Sequence, residues 1–294
     1  MRNIKETLYR WIFTILAMAS LIFLAGIIIT LLTESIPVFR QYGFFELIFG
    51  KSWYPTYEPA EFGMLSLITA SIVVTVGAMI VCVPIGVGSA LYIHEIASEN
   101  QRAFLKPIIE VLAGIPSIVY GFFGMVIVAP FLQDMIDIPT GLCAFTASLV
   151  LGIMATPTVA SLAEDALSFV PRSFREASLA LGANRWQTLI RVMVPAAGSG
   201  ISTAIILGMS RAVGETMTVL MVAGGAAVIP HSLFDPVRPM TSTIAAEMGE
   251  AVVGSLHFSA LFAIGLILFL ITLVINIAAE AISRRFRLKL GLGR

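Results

Sequence analysis

Five stretches of this chain, each at least 22 residues long, contain no Asp, Glu, Lys or Arg. A sixth apolar stretch is interrupted only by Arg211 and Glu215. Because a helix needs about 20 apolar residues to cross a bilayer, each stretch is long enough for one span. The sequence therefore predicts an all-α polytopic membrane protein with six transmembrane helices. In chain order the stretches are 11–32, 64–93, 111–133, 138–163, 192–222 and 251–279.

Charged residues are too few for a water-soluble fold. They make up 12% of the 294 residues, against about 25% in ordinary soluble domains. The 18 basic residues balance the 18 acidic ones, so net charge gives no indication of a nucleic-acid partner. The first stretch, 11–32, is longer than the apolar core of a secretory signal peptide and no small-residue cleavage site follows it, so we expect it to remain as a span.

Lys and Arg are concentrated on one side of the predicted spans. With the N-terminus inside, fourteen of the 18 fall in inner segments and three in outer segments. The positive-inside rule then places both termini in the cytoplasm. The predicted divisions are 1–63 (tail, first span and outer loop), 64–283 (a core of five spans with a cytoplasmic segment at 164–194) and 284–294 (a basic cytoplasmic tail).

The predicted outer segment 33–63 is rich in aromatic residues and proline. We interpret these residues as an aromatic belt at the membrane surface, where ring side chains meet both lipid and water. Its members are Trp53, Tyr54, Pro55, Tyr57 and Pro59.

Two cysteines and three prolines lie inside apolar stretches. Cys82 and Cys143 are predicted to be packing residues, since cysteine is a common small buried residue. Pro84, Pro116 and Pro157 are predicted to kink spans, which the membrane tolerates where neighbouring helices or cavities satisfy the freed carbonyls.

The cytoplasmic segment 171–195 has the signals of two short helices. Ser173 and Glu176 have the spacing of a capping box, which predicts a helix that runs to Leu181. Gly182 is placed to end that helix in the left-handed conformation.

A second helix is predicted to begin after the glycine turn. Asn184, with Gln187 three residues later, forms a second capping pattern on a helix that leads to Pro195. The first helix has an apolar face that includes alanines, so it either rests on lipid headgroups or docks against a partner protein. Small residues and the lack of a lysine run favour the partner.

Arg211 and Glu215 lie inside the stretch 192–222, the fifth in chain order. In a continuous helix a spacing of four places them on one face, in line with the small residues Ala204 and Gly208. One interpretation is a structural ion pair that joins two helices. The other is an anion pathway, because an arginine fork suits an oxyanion such as phosphate. Hydroxyl donors nearby are Thr216 and Thr218.

The cytoplasmic segment resembles the signature of permease subunits of ATP-binding-cassette importers, which reads E-A-A, three residues, Gly, nine residues and I-x-L-P. Glu176, Ala177 and Ser178 match its start, Gly182 follows, and residues 192–195 read VMVP. The departures are Ser178 for Ala and Val for Ile and Leu. In that family the helix enters a cleft of a cytoplasmic ATPase and transmits its motion. The resemblance assigns coupling to Glu176, Ala177 and Gly182, and the neighbouring Arg175 is added to them.

Three further motifs resemble one branch of that family, the permeases of phosphate (Pst-type) importers. Arg211–Met217 reads RAVGETM, Glu110–Gly121 reads EVLAGIPSIVYG and Trp53–Gly63 reads WYPTYEPAEFG. Residues after Met217 are more similar to the C-type of the two paired permeases than to the other, which has G-E-T-A-P here. The resemblance implies a substrate pathway at Arg211, Glu215 and Thr216.

The resemblance also implies an architecture and a set of partners. It implies the type I importer permease fold in the bacterial cytoplasmic membrane. A second related permease, two cytoplasmic ATPase subunits and an external phosphate-binding protein would complete the complex. This chain would carry no cofactor, with ATP and Mg²⁺ held by the ATPase.

Enzyme motifs do not support a different activity. The G-x-x-x-x-G-K-[ST] phosphate loop is absent from the sequence, so ATP hydrolysis is expected on a separate subunit. His94, His231 and His257 have no metal-binding spacing. His94, beside Glu95 at the end of the second stretch, is interpreted as an interface residue.

Other functions remain as alternatives. A permease for sulfate or molybdate has the same oxyanion chemistry. An autonomous channel or secondary carrier is a second class, although the inverted repeats typical of carriers are not seen. A membrane scaffold without transport activity has no need of Arg211 within a span.

Overall fold

Helices account for most of the computed structural model, which describes residues 2–289. This confirms the predicted all-α fold. Residues 290–294 of the predicted basic tail lie outside the described residues. The helices long and apolar enough to cross a membrane are Tyr9–Tyr42, Leu65–Ile96, Ser117–Ile136, Ala144–Ser168 and Leu256–Ala281.

The first helix, α1, lies at the periphery. It runs from Arg2 to Tyr42 and is followed by the short helix α2, Phe44–Phe49. The most apolar window of the span that begins at Tyr9 has no buried residue, and Ile22 and Phe23 are 65% and 73% exposed. Such a surface is suited to lipid.

A small hairpin connects α2 to the second span. Its strands are β1, Trp53–Tyr54, and β2, Glu61–Phe62, which pair antiparallel with Trp53 opposite Phe62. Gly50 and Gly63 close the hairpin, since a Cβ on Gly50 would lie 2.7 Å from the Gly63 Cα. The prediction of an aromatic belt is wrong for Trp53, which is 2% exposed because it packs in a core cluster with Phe62 and Leu261.

The second and third spans are interrupted by π-helical turns. Helix α3 ends in such a turn before α4 begins at a capping box between Ser98 and Gln101. Pro116 precedes α5 as its N-cap, so the prediction of a proline inside one continuous span 111–133 is wrong. The chain instead breaks between α4 and α5. The bounds are α3 Leu65–Leu91, π turn Tyr92–Ile96, α4 Glu99–Ala113, α5 Ser117–Phe123, π turn Gly124–Val128 and α6 Ala129–Ile136.

Helix α7, Ala144–Ser168, packs against α3 to form the centre of the bundle. Small residues allow the backbones to approach closely: a Cβ on Gly152 would lie 2.8 Å from the Ala78 carbonyl oxygen. Pro84 and Pro157 lie inside these two helices, as predicted. Cys82 and Cys143 are fully buried here, which confirms their packing role.

The predicted fifth span is bent. Two helical segments, 185–196 and 198–213, meet at 70° and together count as a sixth crossing if they form one span. Gly208 packs so closely on α7 that a Cβ there would overlap Val159. The bounds are α8 Arg172–Ala180, α9 Arg185–Thr188, π turn Leu189–Met193, α10 Val194–Ala196 and α11 Gly198–Val213.

The outer segment after α11 folds back over the bundle. The Ala144 N–H donates to the Asp235 carbonyl at 3.0 Å, so this segment covers the start of α7. The Met240 N–H donates to the Ser71 Oγ at 2.9 Å, which joins α13 to α3. The bounds are α12 Met217–Val222, α13 Met240–Glu247 and α14 Leu256–Lys289.

Candidate translocation site and coupling segment

A helix break lies where the sequence places its two intramembrane charges. Helix α11 ends at Val213, Gly214 caps it, and α12 begins at Met217. The prediction that Arg211 and Glu215 share one face of a continuous helix is therefore wrong. The glycine ends the helix between them, so the two side chains belong to different local structures.

The Glu215 carboxylate binds backbone instead of Arg211. Its Oε1 accepts the N–H groups of Met217 at 3.1 Å and Thr218 at 3.2 Å. N–H groups at the start of a helix have no acceptor within the helix, so a carboxylate is favourable at that position. The Glu215 carbonyl accepts the Thr241 hydroxyl at 2.8 Å, so the break is also joined to α13.

Arg211 lies in the last turn of α11 and is partly exposed. No carboxylate that the structure describes lies within ion-pair distance of its guanidinium. An unpaired guanidinium in an apolar span is costly, so this position calls for an anionic partner.

The two threonines beside the break differ in availability. The Thr218 hydroxyl is fully buried and donates to the Ser117 carbonyl at 3.0 Å. It is therefore committed to joining α12 to α5, which corrects its expected use as a donor to an anion. The Thr216 hydroxyl donates to the Gly214 carbonyl at 3.3 Å, a long contact that an anion can replace.

The cytoplasmic segment has the predicted form of helix, glycine turn and helix. Gly182 has a φ of +84°, which confirms its left-handed turn. The capping box between Asn184 and Gln187 is confirmed, with both hydrogen bonds at 2.8 to 2.9 Å. The Ser173 cap is wrong, because α8 begins two residues earlier than that cap predicts, at Arg172, with Pro171 as its N-cap.

Helix α8 presents most of its residues to solvent. Glu176 and Ala177 are exposed, and Leu181 after the helix is 90% exposed. A cleft of about 560 Å³ lies between this helix and α9, with Phe174 and Gly182 in its wall. Exposed apolar residues beside a cleft are typical of a protein docking surface.

Ser178 and Arg175 are the least exposed residues of α8. The Ser178 hydroxyl lies 3.0 Å from that of Thr188, so the residue that departs from the E-A-A pattern joins the two short helices. The Arg175 Nη2 lies 2.9 Å from the Glu95 Oε1. Arg175 thus contacts the end of α3, and not the exposed docking face.

Glu164 is the centre of a charged cluster at the same end of the bundle as the coupling segment. Its side chain is 3% exposed and lies 2.6 Å from the Lys106 Nζ, and it also binds Arg102. The hydrogen bond to Glu164 raises the pKa of Lys106 above its ordinary value. This cluster ties α4 to the end of α7.

Glu247 has the same role on the predicted outer side. Its carboxylate accepts the Trp53 indole N–H at 3.0 Å and the Arg238 guanidinium at 2.7 Å, and lies 2.9 Å from the His257 Nε2. The contacts join the hairpin, the outer segment and two helices. An outer cavity of about 590 Å³ lies beside this cluster.

A family model described as "Binding-protein-dependent transport system inner membrane component" matches residues 82–288. The chain belongs to this family. The matched region includes every residue assigned above to the pathway and to coupling. This family membership makes the chain a transporter permease and a multi-pass membrane protein.

Relatives of this permease extend the similarity over most of the chain. "Phosphate transport system permease protein PstC" of Mesorhizobium japonicum is 34% identical, over 94% of this chain and 89% of its own. "Probable ABC transporter permease protein YqgH" of Bacillus subtilis is 38% identical, over 82% of this chain and 78% of its own.

Solved structures share the fold of this permease. A bacterial alginate ABC transporter chain matches with a TM-score of 0.66 at 15% identity, covering 94% of each chain. A chain of the MetNI methionine ABC transporter matches with a TM-score of 0.57 at 22% identity, covering 76% of this permease and 94% of that chain. The type I importer permease fold is thereby confirmed.

Sequence reasoning about the permease missed Glu164 and Glu247 as organising residues. Each is a charged residue close to the end of an apolar stretch, and that position could have indicated a role in joining helices at the end of a span. Arg102 and Lys106 were considered only as basic residues that set the orientation. Their spacing of four on α4 does not indicate Glu164 as a partner, because that contact exists only when α7 packs beside α4.

Proposed function

We propose that this chain is the C-type permease subunit of an ATP-driven phosphate importer. The observation that carries the proposal is the position of Arg211, a partly exposed guanidinium at a helix break with no carboxylate partner in the described part of the chain. A guanidinium presents a planar fork of donors that matches a tetrahedral oxyanion. The relatives named as phosphate permeases support phosphate as that oxyanion.

The chain's own residues account for the steps of transport that occur within it. Arg211 attracts the anion at the break. The Thr216 hydroxyl can turn toward the anion, because its hydrogen bond to the Gly214 carbonyl is long. Glu215 holds the break open as a fixed feature, because its carboxylate is committed to backbone N–H groups. The break therefore keeps its local shape and places a positive charge in the pathway.

The proposed complex contains further subunits. A second related permease supplies the other half of the pathway, and an external phosphate-binding protein delivers the anion. Two cytoplasmic ATPase subunits bind ATP with Mg²⁺ and engage Glu176, Ala177 and Gly182. Their closure moves the docking helices and opens the pathway outward, in a bacterial cytoplasmic membrane with both termini inside.

Reconstitution of the whole complex in proteoliposomes tests this function. ATP is placed on the side of the ATPase subunits, and labelled phosphate and the binding protein are placed on the other side. We expect phosphate accumulation that needs both ATP and the binding protein. Uptake without ATP would instead indicate a channel or secondary carrier, and preference for labelled sulfate or molybdate would indicate another oxyanion permease.

A further inference from the structure

The inner face of α8 consists of two side chains. Of its nine residues, Ser178 is buried and Arg175 is partly buried, with 41% of its side chain exposed, and they lie three positions apart on one face of the helix. Ser178 binds Thr188 within the same cytoplasmic segment. Arg175 forms an ion pair that joins α8 to the end of the second span.

Its partner, Glu95, is a buried carboxylate. Glu95 lies on the π-helical turn that ends α3, and its side chain is 4% exposed. Neither carboxylate oxygen has a hydrogen-bond partner in the described part of the chain. The Arg175 Nη2, at 2.9 Å, forms an ion pair with it without the alignment of a hydrogen bond.

The neighbouring cations are committed elsewhere. Arg102 and Lys106 both bind Glu164 on α7, and His94 lies 4.0 Å from that same carboxylate. If Arg175 moved away, Glu95 would be a buried charge without a partner. Leaving a buried carboxylate without its partner is costly, so the two residues move together.

The geometry points to Glu95 and Arg175 as the link that transmits motion of α8 to α3. This inference rests on the proposed function, since it assigns the route by which the ATPase acts on the pathway. When the ATPase subunits displace α8, the end of α3 follows because Glu95 remains paired. Helix α3 packs along α7, which in turn contacts α11 through Val159 and Gly208, so the displacement reaches the Arg211 helix.

The test compares transport with ATP hydrolysis in the reconstituted complex. The variants are Glu95→Gln, Arg175→Gln and the two changes together. We expect ATP hydrolysis to continue while phosphate transported per ATP falls about tenfold or more, the scale of a typical coupling between sites. Arg175→Lys keeps the charge and should retain more phosphate transport per ATP hydrolysed than Arg175→Gln.

Two features keep the test decisive. The double variant leaves no lone buried charge, so it assembles even if a single variant does not, and it should still show the lowered ratio. Glu99→Gln is the matched control, because it removes an exposed carboxylate four residues from Glu95 and should keep the wild-type ratio.

A wild-type ratio of phosphate to ATP in the double variant would overturn the inference. Failure of the unmodified complex to take up phosphate with ATP would contradict the proposed function instead, and the two outcomes are therefore distinguishable. A merely structural pair would lower the amount of assembled complex without changing the ratio.

Discussion

Arg211 and Gly208 show how single residues set the conditions for transport. Arg211 provides a positive charge at the helix break, where the described chain supplies no acidic partner. Gly208, three residues earlier, allows α11 to lie against Val159 of α7. Arg211 provides the charge that binds the anion, and Gly208 positions the helix that bears Arg211.

A Gly208→Ala variant should lower the stability of the complex. The added Cβ would overlap Val159, and overpacking of this kind costs about 1–3 kcal/mol. Thermal unfolding of the purified complex, followed by loss of assembly, measures the effect. Gly88→Ala is the matched control, since a Cβ there meets open space within helix α3. Equal melting temperatures for the two variants would contradict the close-packing account.

The coupling segment shows what local sequence determines. The Gly182 turn and the capping box of Asn184 and Gln187 were predicted correctly, because each depends on residues a few positions apart. The Ser173 cap failed because Pro171 can also begin a helix and does so here. The Arg175 contact with Glu95 joins residues 80 positions apart, which no local pattern contains.

The helix break was missed for a related reason. Spacing alone favoured a continuous helix through Gly214, since Arg211 and Glu215 then formed a plausible pair. In the fold, backbone donors of α12 compete for Glu215, and Thr218 and Thr241 fix the break against α5 and α13. The location of the candidate site could thus be predicted from the sequence, but its geometry could not.

A Gly182→Val variant should insert in the membrane but lose ATPase association and transport. The φ of +84° is strained for a β-branched residue, at a cost of about 1–3 kcal/mol. No atom lies within 4 Å of the added Cβ position, so the penalty comes from the backbone alone. Co-purification of the ATPase with the permease measures the loss of association.

Gly182→Asn is the control for that change, because asparagine tolerates the left-handed conformation far better than valine. It should retain most of the association. Normal phosphate uptake by the valine variant would show that the turn is not required.

At the scale of the whole molecule, charge-free runs predicted the order of the spans. Five helices of the described residues are long and apolar enough to cross a membrane, and the bent pair adds a sixth if it forms one span. The structure leaves orientation to the positive-inside rule, which stays a prediction. The outer segments, by contrast, are organised by Glu247 and its three partners, which come from distant parts of the chain.

Topology can be tested by reporters fused at the C-terminus. The distribution of Lys and Arg predicts activity of a cytoplasmic reporter after Arg294 and no activity of an external one. A fusion in the outer segment between α12 and α13, at Val228, should give the reverse result. External activity at the C-terminus would contradict the predicted orientation.

The most direct test of the account is phosphate uptake by complexes with altered Arg211, normalised to the amount of assembled complex. Arg211→Gln removes the charge and should abolish uptake, whereas Arg211→Lys keeps the charge without the fork and should transport poorly. Arg40→Gln, an exposed arginine at the outer end of α1, is the control and should transport normally. Near wild-type uptake by the assembled Arg211→Gln complex would contradict the assignment of the pathway.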